Sequence, residues 1–537
     1  MSNSVISSSA SSTAASSPSK RASITEKVKS LFTSSSKNPS PIDSPIKTEV
    51  SDMINAGPEG PKVCIVGAGL AGCMSAALIS KLTDAYGMNF NVHLYEKRED
   101  PRFENQSQES FSNAFGASTS ATKRSINLAL SYRGQLALQE IGLLDEVMET
   151  AVEMPGRVIH NLDGSVVKQA YGKPGEALQS IGRQTLNMSI LHHLSNKQNV
   201  KLNFGQMLKN VDNDGNVEFE SVDGKVIKRS FDLIIGADGA YSVTRETLLK
   251  SNRISFSRDY IAHGYKELNI PARRNETTGE PEYAIEHFNG LHIWPRGDFM
   301  LIALPNPDCS FTATLFAPYK GKDGFDQVDP NNIGQVTEYF QKYFPDVVHI
   351  MPEITKDFRE NPVGSLVTIR VNPWVSKKVV LIGDAAHAVV PFFGQGMNAA
   401  FEDGYLLYHE LKRKCQTMHY NLEDIISEFA DKRRPAANAL ADLCIEHYND
   451  MASNTSSMTY LIGKKIEGVL STILPSSFIP LYSMVSFSNV PYHEAVARAQ
   501  RQDDIIWSLM WGGVVIAGGL MSANWFFNSR GTIMGRN

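Results

Sequence analysis

Hydrophobic and polar positions divide the chain into stretches of different period. The apolar run from Lys62 to Val66 reads as a strand, Leu70 to Leu82 carries a helical pattern, and Asn91 to Tyr95 reads as a second strand. Strand, helix and strand in that order make a βαβ unit, the building block of a parallel sheet. Two further apolar strands end just before Asp238 and Asp384. A strand-rich zone runs from about Tyr260 to Phe316, with HIWP at 292–295 and TATLF at 312–316, and helices are expected from Asn398 onward. The chain shows no internal repeat.

The two ends lack this alternation. Residues 1–57 are dominated by Ser, Ala, Thr, Pro and Lys, too little apolar surface to offset the entropy of ordering, and are expected to form a disordered tail. The first nineteen residues carry no charged side chain, which argues against a secretory or transit leader. The polar insert from Phe103 to Thr122 is expected to be a loop. Ile505 to Phe527, IIWSLMWGGVVIAGGLMSANWFF, is free of charge. As a helix it would be about 35 Å long, enough for a hydrocarbon core of roughly 30 Å, and Trp507, Trp511 and Trp525 sit towards its ends, where interfacial aromatics belong. A single C-terminal transmembrane helix is therefore expected, with everything before it on the cytosolic side. The competing expectation is a buried amphipathic helix closing the active site.

Composition narrows the class. At 537 residues the chain exceeds what one core usually supports, so a two-lobed unit or two to three domains is expected. With 42% hydrophobic and 20% charged residues and a net charge of -5, it is an ordinary globular protein without the basic footprint that nucleic acid requires. Five scattered cysteines, never as CxxC, point to reduced thiols. No metal is expected: HExxH is absent, and the adjacent His192 and His193 point in different directions on any helix.

The chemistry sits at the strand ends. In VCIVGAGLAG, Gly67, Gly69 and Gly72 form GxGxxG between a strand and a helix, with Leu70 and Ala71 among the residues expected at the cofactor. The first glycine permits a tight turn, the second admits a pyrophosphate, and the third lets helix pack on strand. The helix N-terminus then offers its partial positive charge to the phosphates. Glu96 ends the next strand, where an acid accepts from a ribose hydroxyl. This motif alone does not choose between FAD and NAD. Asp238 and Gly239 follow a second strand, with Arg245 beyond them; Gly383 and Asp384 follow a third. The Gly-rich turn PFFGQGMN, Pro391 to Asn398, opens a helix whose backbone N–H groups and positive end can face a ligand group that carries negative charge. His387, inside DAAHA, is expected to satisfy local backbone groups rather than to catalyse.

GxGxxG, a DG segment and a GD segment in this order resemble the FAD aromatic hydroxylases related to 4-hydroxybenzoate hydroxylase. Within them, RSINLALSYRG at 124–134, HGYKELNIP at 263–271, LHIWPR at 291–296, GDAAHAVVPFFGQGMNAAFED at 383–403 and PSSFIPLYSMVSFS at 475–488 are similar to the kynurenine 3-monooxygenase family, over roughly residues 61–510. The resemblance implies an α/β fold. A discontinuous Rossmann-type FAD-binding domain would span 58–425, with a substrate-binding sheet interleaved at about 150–182 and 255–365. A C-terminal helical region at 426–503 and the transmembrane anchor at 505–527 would follow.

It also implies tightly but non-covalently bound FAD, NADPH as transient co-substrate, and conversion of L-kynurenine to 3-hydroxykynurenine by O₂ through a flavin C4a-hydroperoxide. No side chain is then the catalytic nucleophile. Asp384 and Asp238 inherit cofactor contacts, as do Arg183 near the flavin, Arg98 beside the adenosine half, and Gly396, Met397 and Asn398. For substrate, Arg157 and Tyr171 match the carboxylate-binding pair, Phe392 and Phe393 the ring wall, and Met451 and Tyr482 further pocket residues. His447 departs from the family's usual asparagine, which puts the carboxylate contact there in doubt. The family's address, the mitochondrial outer membrane with the catalytic part facing the cytosol, agrees with the apolar tail. Two alternatives remain: another membrane-associated flavin monooxygenase, such as an aromatic acid hydroxylase or lipid epoxidase, and a non-catalytic binding protein on a dinucleotide-type fold.

Overall fold

The computed structural model describes residues 60–103, 126–251, 253–416, 420–449, 470, 473–474 and 476–508. The tail over 1–57, the insert from 104 on, Met451, and the apolar stretch from 509 on lie outside them. Among the described residues no helix is long and apolar enough to cross a membrane.

The strand Lys62–Val66 runs parallel to Asn91–Tyr95 on one side and to Leu233–Gly236 on the other. Val200–Asn203 extends the sheet beyond Asn91–Tyr95; Val379–Leu381 and then Val375–Ser376 extend it beyond Leu233–Gly236, the last strand antiparallel. LIIG and VVL are buried at every position, as continuous apolar runs must be in a sheet covered on both faces. The helix Leu70–Tyr86 makes the first crossover and ends at Gly87, whose φ of 66° provides the left-handed cap. The chain first builds outward from Lys62–Val66 through Asn91–Tyr95 and then returns to its other side. That reversal opens a crevice at the carboxyl ends of the central strands, where ligands bind in such sheets. A three-stranded antiparallel sheet, Gln206–Val211, Asn216–Ser221 and Val226–Ser230, is attached nearby, with Phe219 stacked 3.9 Å from Tyr95.

A second sheet has seven strands in the order Gly364–Asn372, Ser255–Ile270, Phe311–Pro318, Met300–Pro305, Leu291–Pro295, Gly156–His160 and Val166–Ala170. Its two faces follow from the two-residue period of a strand. Leu301, Ala303, Phe311, Ala313 and Leu315 join a core built with the helices Ile333–Tyr343 and Ile354–Glu360. Their neighbours Met300, Ile302, Leu304, Thr312, Thr314 and Phe316 face a cavity on the other side. The sheet thus turns one face to that core and the other to the cavity, and its strands are drawn from residues 156–170 and 255–372.

Helices Gly396–Cys415 and Leu422–Asn449 follow. The second runs without a break through position 426, where the C-terminal helical region was expected to begin. The helix Leu481–Ser486 and a helix over 492–508 pack on it through a core containing Leu440, Cys444, Met484, Val485, Tyr492 and Ala495.

Candidate active site

A cavity of about 860 Å³ lies between the carboxyl ends of the parallel strands and the inner face of the seven-stranded sheet. At one end, Gly67, Gly69, Leu70 and Ala71 line it at the N-terminus of Leu70–Tyr86, whose first turn holds no acid and no capping side chain. A Cβ on Gly67 would come within 2.6 Å of the Ala237 carbonyl oxygen, and one on Gly72 within 1.9 Å of the Gly67 oxygen, whereas one on Gly69 would meet nothing within 4 Å. Gly67 and Gly72 serve the turn and the packing, and Gly72 does not line the cavity. The open face at Gly69 leaves a pyrophosphate room to reach backbone N–H groups.

Glu96 is buried at the next strand end, where one carboxylate oxygen accepts from the Ala68 N–H at 2.9 Å. The other accepts from Arg98 Nε at 2.8 Å. Burial opposes ionisation, but Arg98 and the backbone donors outweigh it and hold the carboxyl below its usual range. A carboxylate kept charged there can accept from ribose hydroxyls. Arg98 and Arg183 stand exposed on the same cavity.

The DG and GD segments are joined by one residue. Arg245, fully buried, donates to the Ala385 carbonyl at 2.9 Å and the Ala240 carbonyl at 2.8 Å. Asp238 and Asp384 both line the cavity but differ in role. Asp238 accepts from Ser242 Oγ at 2.5 Å and the Thr244 N–H at 2.9 Å, capping the helix Val243–Ser251, while burial pushes its carboxyl up. Asp384 stands exposed, open to a ligand hydroxyl. The turn Pro391–Phe393 leads to Gly396–Cys415, whose first turn carries no acid and whose Gly396 and Met397 line the cavity. Asn398 does not. Its side chain accepts from the Ser131 N–H and donates to the carbonyls of Ala129 and Gly394, so it braces the loop. His387 likewise is structural: its Nε2 lies 2.6 Å from Asp403, and its ring stacks on Trp374. FAD therefore fits the residues present: an uncapped helix start beside an open glycine, a charged buried acid, a free carboxylate, and a second helix start.

At the other end the sequence-expected substrate residues converge. Arg157, Phe392, Phe393, His447 and Tyr482 line the cavity together. The Arg157 guanidinium carbon lies 4.8 Å from the Tyr482 ring and 5.5 Å from that of Tyr171. Burial pulls its pKa down, but Tyr482 and Tyr171 turn the net shift upward. Its Nε is buried without a hydrogen-bond partner, and so is the hydroxyl of Tyr171. Tyr171 stands one layer behind the wall, stacked on Tyr482 at 5.1 Å. Tyr482 in turn stacks on Phe393 at 5.4 Å, and Phe393 lies 5.0 Å from His447. Met451 is outside the described residues.

Behind the cavity runs a buried ionic cluster that sequence reasoning did not find. Arg433 pairs with Glu402 at 2.7 Å and Asp403 at 2.8 Å; Arg133 contacts Glu402; Asp403 also accepts from the Gly383 N–H at 2.8 Å. Burial would push the Asp403 carboxyl up, yet His387 and Arg433 hold it below its usual value. The available signal was the adjacent acids in AAFEDG, out of place in an apolar helical run.

Comparison with known proteins follows the same lines. A family model described as an FAD binding domain matches residues 128–443, and one described as an NAD(P)-binding Rossmann-like domain matches 65–125. A kynurenine 3-monooxygenase of Sus scrofa is 39% identical over 460 residues, covering 85% of this chain and 90% of that protein. Those of Flavobacterium johnsoniae and Dictyostelium discoideum are 38% and 37% identical, each over 93% of the relative and 83% and 84% of this chain. The chain belongs to the kynurenine 3-monooxygenase family. Among solved structures, a 2-methyl-3-hydroxypyridine-5-carboxylic acid oxygenase aligns with a TM-score of 0.57 at 20% identity, over 74% of this chain and 94% of that one, and shares the fold. For a member of the kynurenine 3-monooxygenase family, whose FAD fits the end at Gly69 and Gly396, that end is the flavin half of the cavity, and the end at Arg157 and Tyr482 is its candidate substrate half.

Proposed function

We propose that the chain hydroxylates L-kynurenine at the carbon ortho to its aniline nitrogen, consuming NADPH, a proton and O₂ and releasing 3-hydroxykynurenine, NADP⁺ and water. The observation that carries this reading is Arg157, a guanidinium facing the cavity between two tyrosines, with a buried Nε that has no partner. Its fork suits the amino-acid carboxylate, and Tyr171, stacked behind Tyr482, supports the guanidinium from the far side of the wall. Bound FAD supplies the hydride acceptor and the activated oxygen.

The chain's own residues bind, orient and exclude water. With the carboxylate held at Arg157, the ring of the substrate extends along Phe393 and Phe392 towards the flavin half, where Phe316 packs 5.2 Å from Phe392 and Ile302 and Met300 line the same cavity. Anchoring far from the reacting carbon lets binding energy enforce orientation there. The apolar lining limits water, which would otherwise divert the activated oxygen. A lipid epoxidase has no use for this cation.

The test uses purified full-length protein. Yellow protein whose NADPH oxidation is accelerated by L-kynurenine, with 3-hydroxykynurenine formed, upholds the reading. Yellow protein to which kynurenine is inert leaves the fold and removes the substrate.

The address is part of the same proposal. The charge-free stretch Ile505 to Phe527, with tryptophans towards both ends, supports a membrane anchor and a place on the mitochondrial outer membrane with the catalytic part in the cytosol. Alkaline extraction of fractionated membranes, with and without residues 505–527, tests it; release of the intact chain into the supernatant would remove the anchor.

A further inference from the structure

Arg133 lies in the first turn of the helix Tyr132–Ile141, 1% exposed and outside the cavity lining. Its Nε donates to the Val485 carbonyl at 3.0 Å, and its two terminal nitrogens donate to the Val490 carbonyl and the Glu402 carboxylate. The Tyr492 ring lies 4.0 Å from its guanidinium carbon. These contacts bracket the turn that follows Leu481–Ser486, the short helix carrying Tyr482. Tyr492 also donates to Gln395 at 3.3 Å, and Gln395 is the N-cap of the helix whose Gly396 lines the flavin half.

We infer that Arg133 is a positioning residue for the substrate half: it fastens the C-terminal segment so that Tyr482 stands between Phe393 and Arg157. The chemistry of the group argues for geometry rather than stability. A planar fork reaches two carbonyls and one carboxylate at fixed angles, which a lysine ammonium cannot reproduce. A buried ionic cluster gains little stability over apolar packing of the same volume, so its value lies in fixing one arrangement. Because Arg133 touches neither cavity wall, it acts on substrate through Tyr482.

The inference rests on the kynurenine reading, and the experiment separates the two. Full-length holoenzymes of wild type, Arg133→Lys, Tyr482→Ala and the double variant are titrated with kynurenine by the change in flavin absorbance. Their KM, kcat, product formed per NADPH oxidised, and rate of proteolytic cleavage within 481–490 are then measured. Arg133→Lys is expected to keep its FAD, to raise KM about tenfold with a smaller change in kcat, to lower product per NADPH, and to speed cleavage. The double variant is expected to bind no worse than Tyr482→Ala alone, the non-additivity of residues on one path. Wild-type KM and coupling in Arg133→Lys, or losses that multiply in the double variant, would overturn the inference. If Arg133→Lys yields no folded holoenzyme, Tyr492→Leu, which removes the ring beneath the guanidinium, carries the same expectations and the same refutation. A wild type that fails to bind kynurenine sinks the functional reading; a wild type that binds, with variants indistinguishable from it, sinks this inference alone.

Discussion

Arg157 and Tyr482 come from parts of the chain more than 300 residues apart, yet the guanidinium carbon of one lies 4.8 Å from the ring of the other. The pair closes the substrate half with a cation on an aromatic floor. Replacing Arg157 by Met keeps length and apolar packing but removes the carboxylate partner. Kynurenine KM should rise about a hundredfold, the equivalent of the roughly 2–3 kcal/mol that a charge-assisted hydrogen bond contributes. FAD content should stay unchanged. Steady-state kinetics together with flavin absorbance check both halves of the prediction.

Tyr171→Phe isolates a single hydroxyl. That oxygen is buried without a partner in the protein, so its removal should leave the melting temperature of substrate-free enzyme equal or higher. The same change should weaken kynurenine binding several-fold. A drop in melting temperature would mean that the hydroxyl already has a structural partner.

Gly72 and Gly69 should fail differently when substituted. Gly72→Ala drives a methyl into the Gly67 carbonyl and should lower thermal stability or prevent folding. Gly69→Ala meets no protein atom, so a folded protein depleted of FAD is expected. Circular dichroism and the ratio of flavin to protein absorbance distinguish the two.

Asp238→Ala should behave as a lost helix cap, costing about 1–2 kcal/mol, measurable by denaturant unfolding. Asp384→Ala, from an exposed carboxylate, should leave unfolding unchanged while weakening FAD retention. Equal unfolding of the two would remove the distinction drawn between them.

Asp403 sets a pH dependence. Its folded pKa is held below the ordinary 3.8, so its contribution is complete above that value and is lost only as pH falls through the lower folded pKa. Asp403→Asn leaves Arg433 without one carboxylate and should cost about 3 kcal/mol at neutral pH. The gap in stability between wild type and Asp403→Asn should stay constant from pH 7 to about pH 5 and narrow below pH 4. A gap that widens on acidification would contradict the assignment.

What could be read from the chain was whatever lies on one continuous segment. Gly67 to Gly72, Glu96, and the DG and GD turns each announce themselves within a few residues of an apolar strand, because their chemistry is delivered by local backbone geometry. The substrate residues were legible only through the family resemblance, since nothing local marks Arg157 as facing a cavity. The cluster of Arg133, Glu402, Asp403 and Arg433 escaped because its partners are brought together by folding alone; Arg133 and Glu402 are 269 positions apart. The same distance explains why Asn398, expected at the cofactor, turned out to brace Ser131 and Ala129 instead.

The alternation along the seven-stranded sheet has a consequence for how this enzyme can change. Met300, Ile302, Thr312, Thr314 and Phe316 face the cavity, while the residues between them, such as Leu301, Ala303, Ala313 and Leu315, belong to a separate core. The wall can be redrawn one tooth of the comb at a time without disturbing the teeth that grip the other side. A combinatorial library confined to Ile302, Thr312 and Thr314, with Met300 and Phe316 kept because they are buried in the core that also holds Phe393 and Met484, would sample rings of new size and polarity, which makes this face the natural place to evolve a different aromatic acceptor.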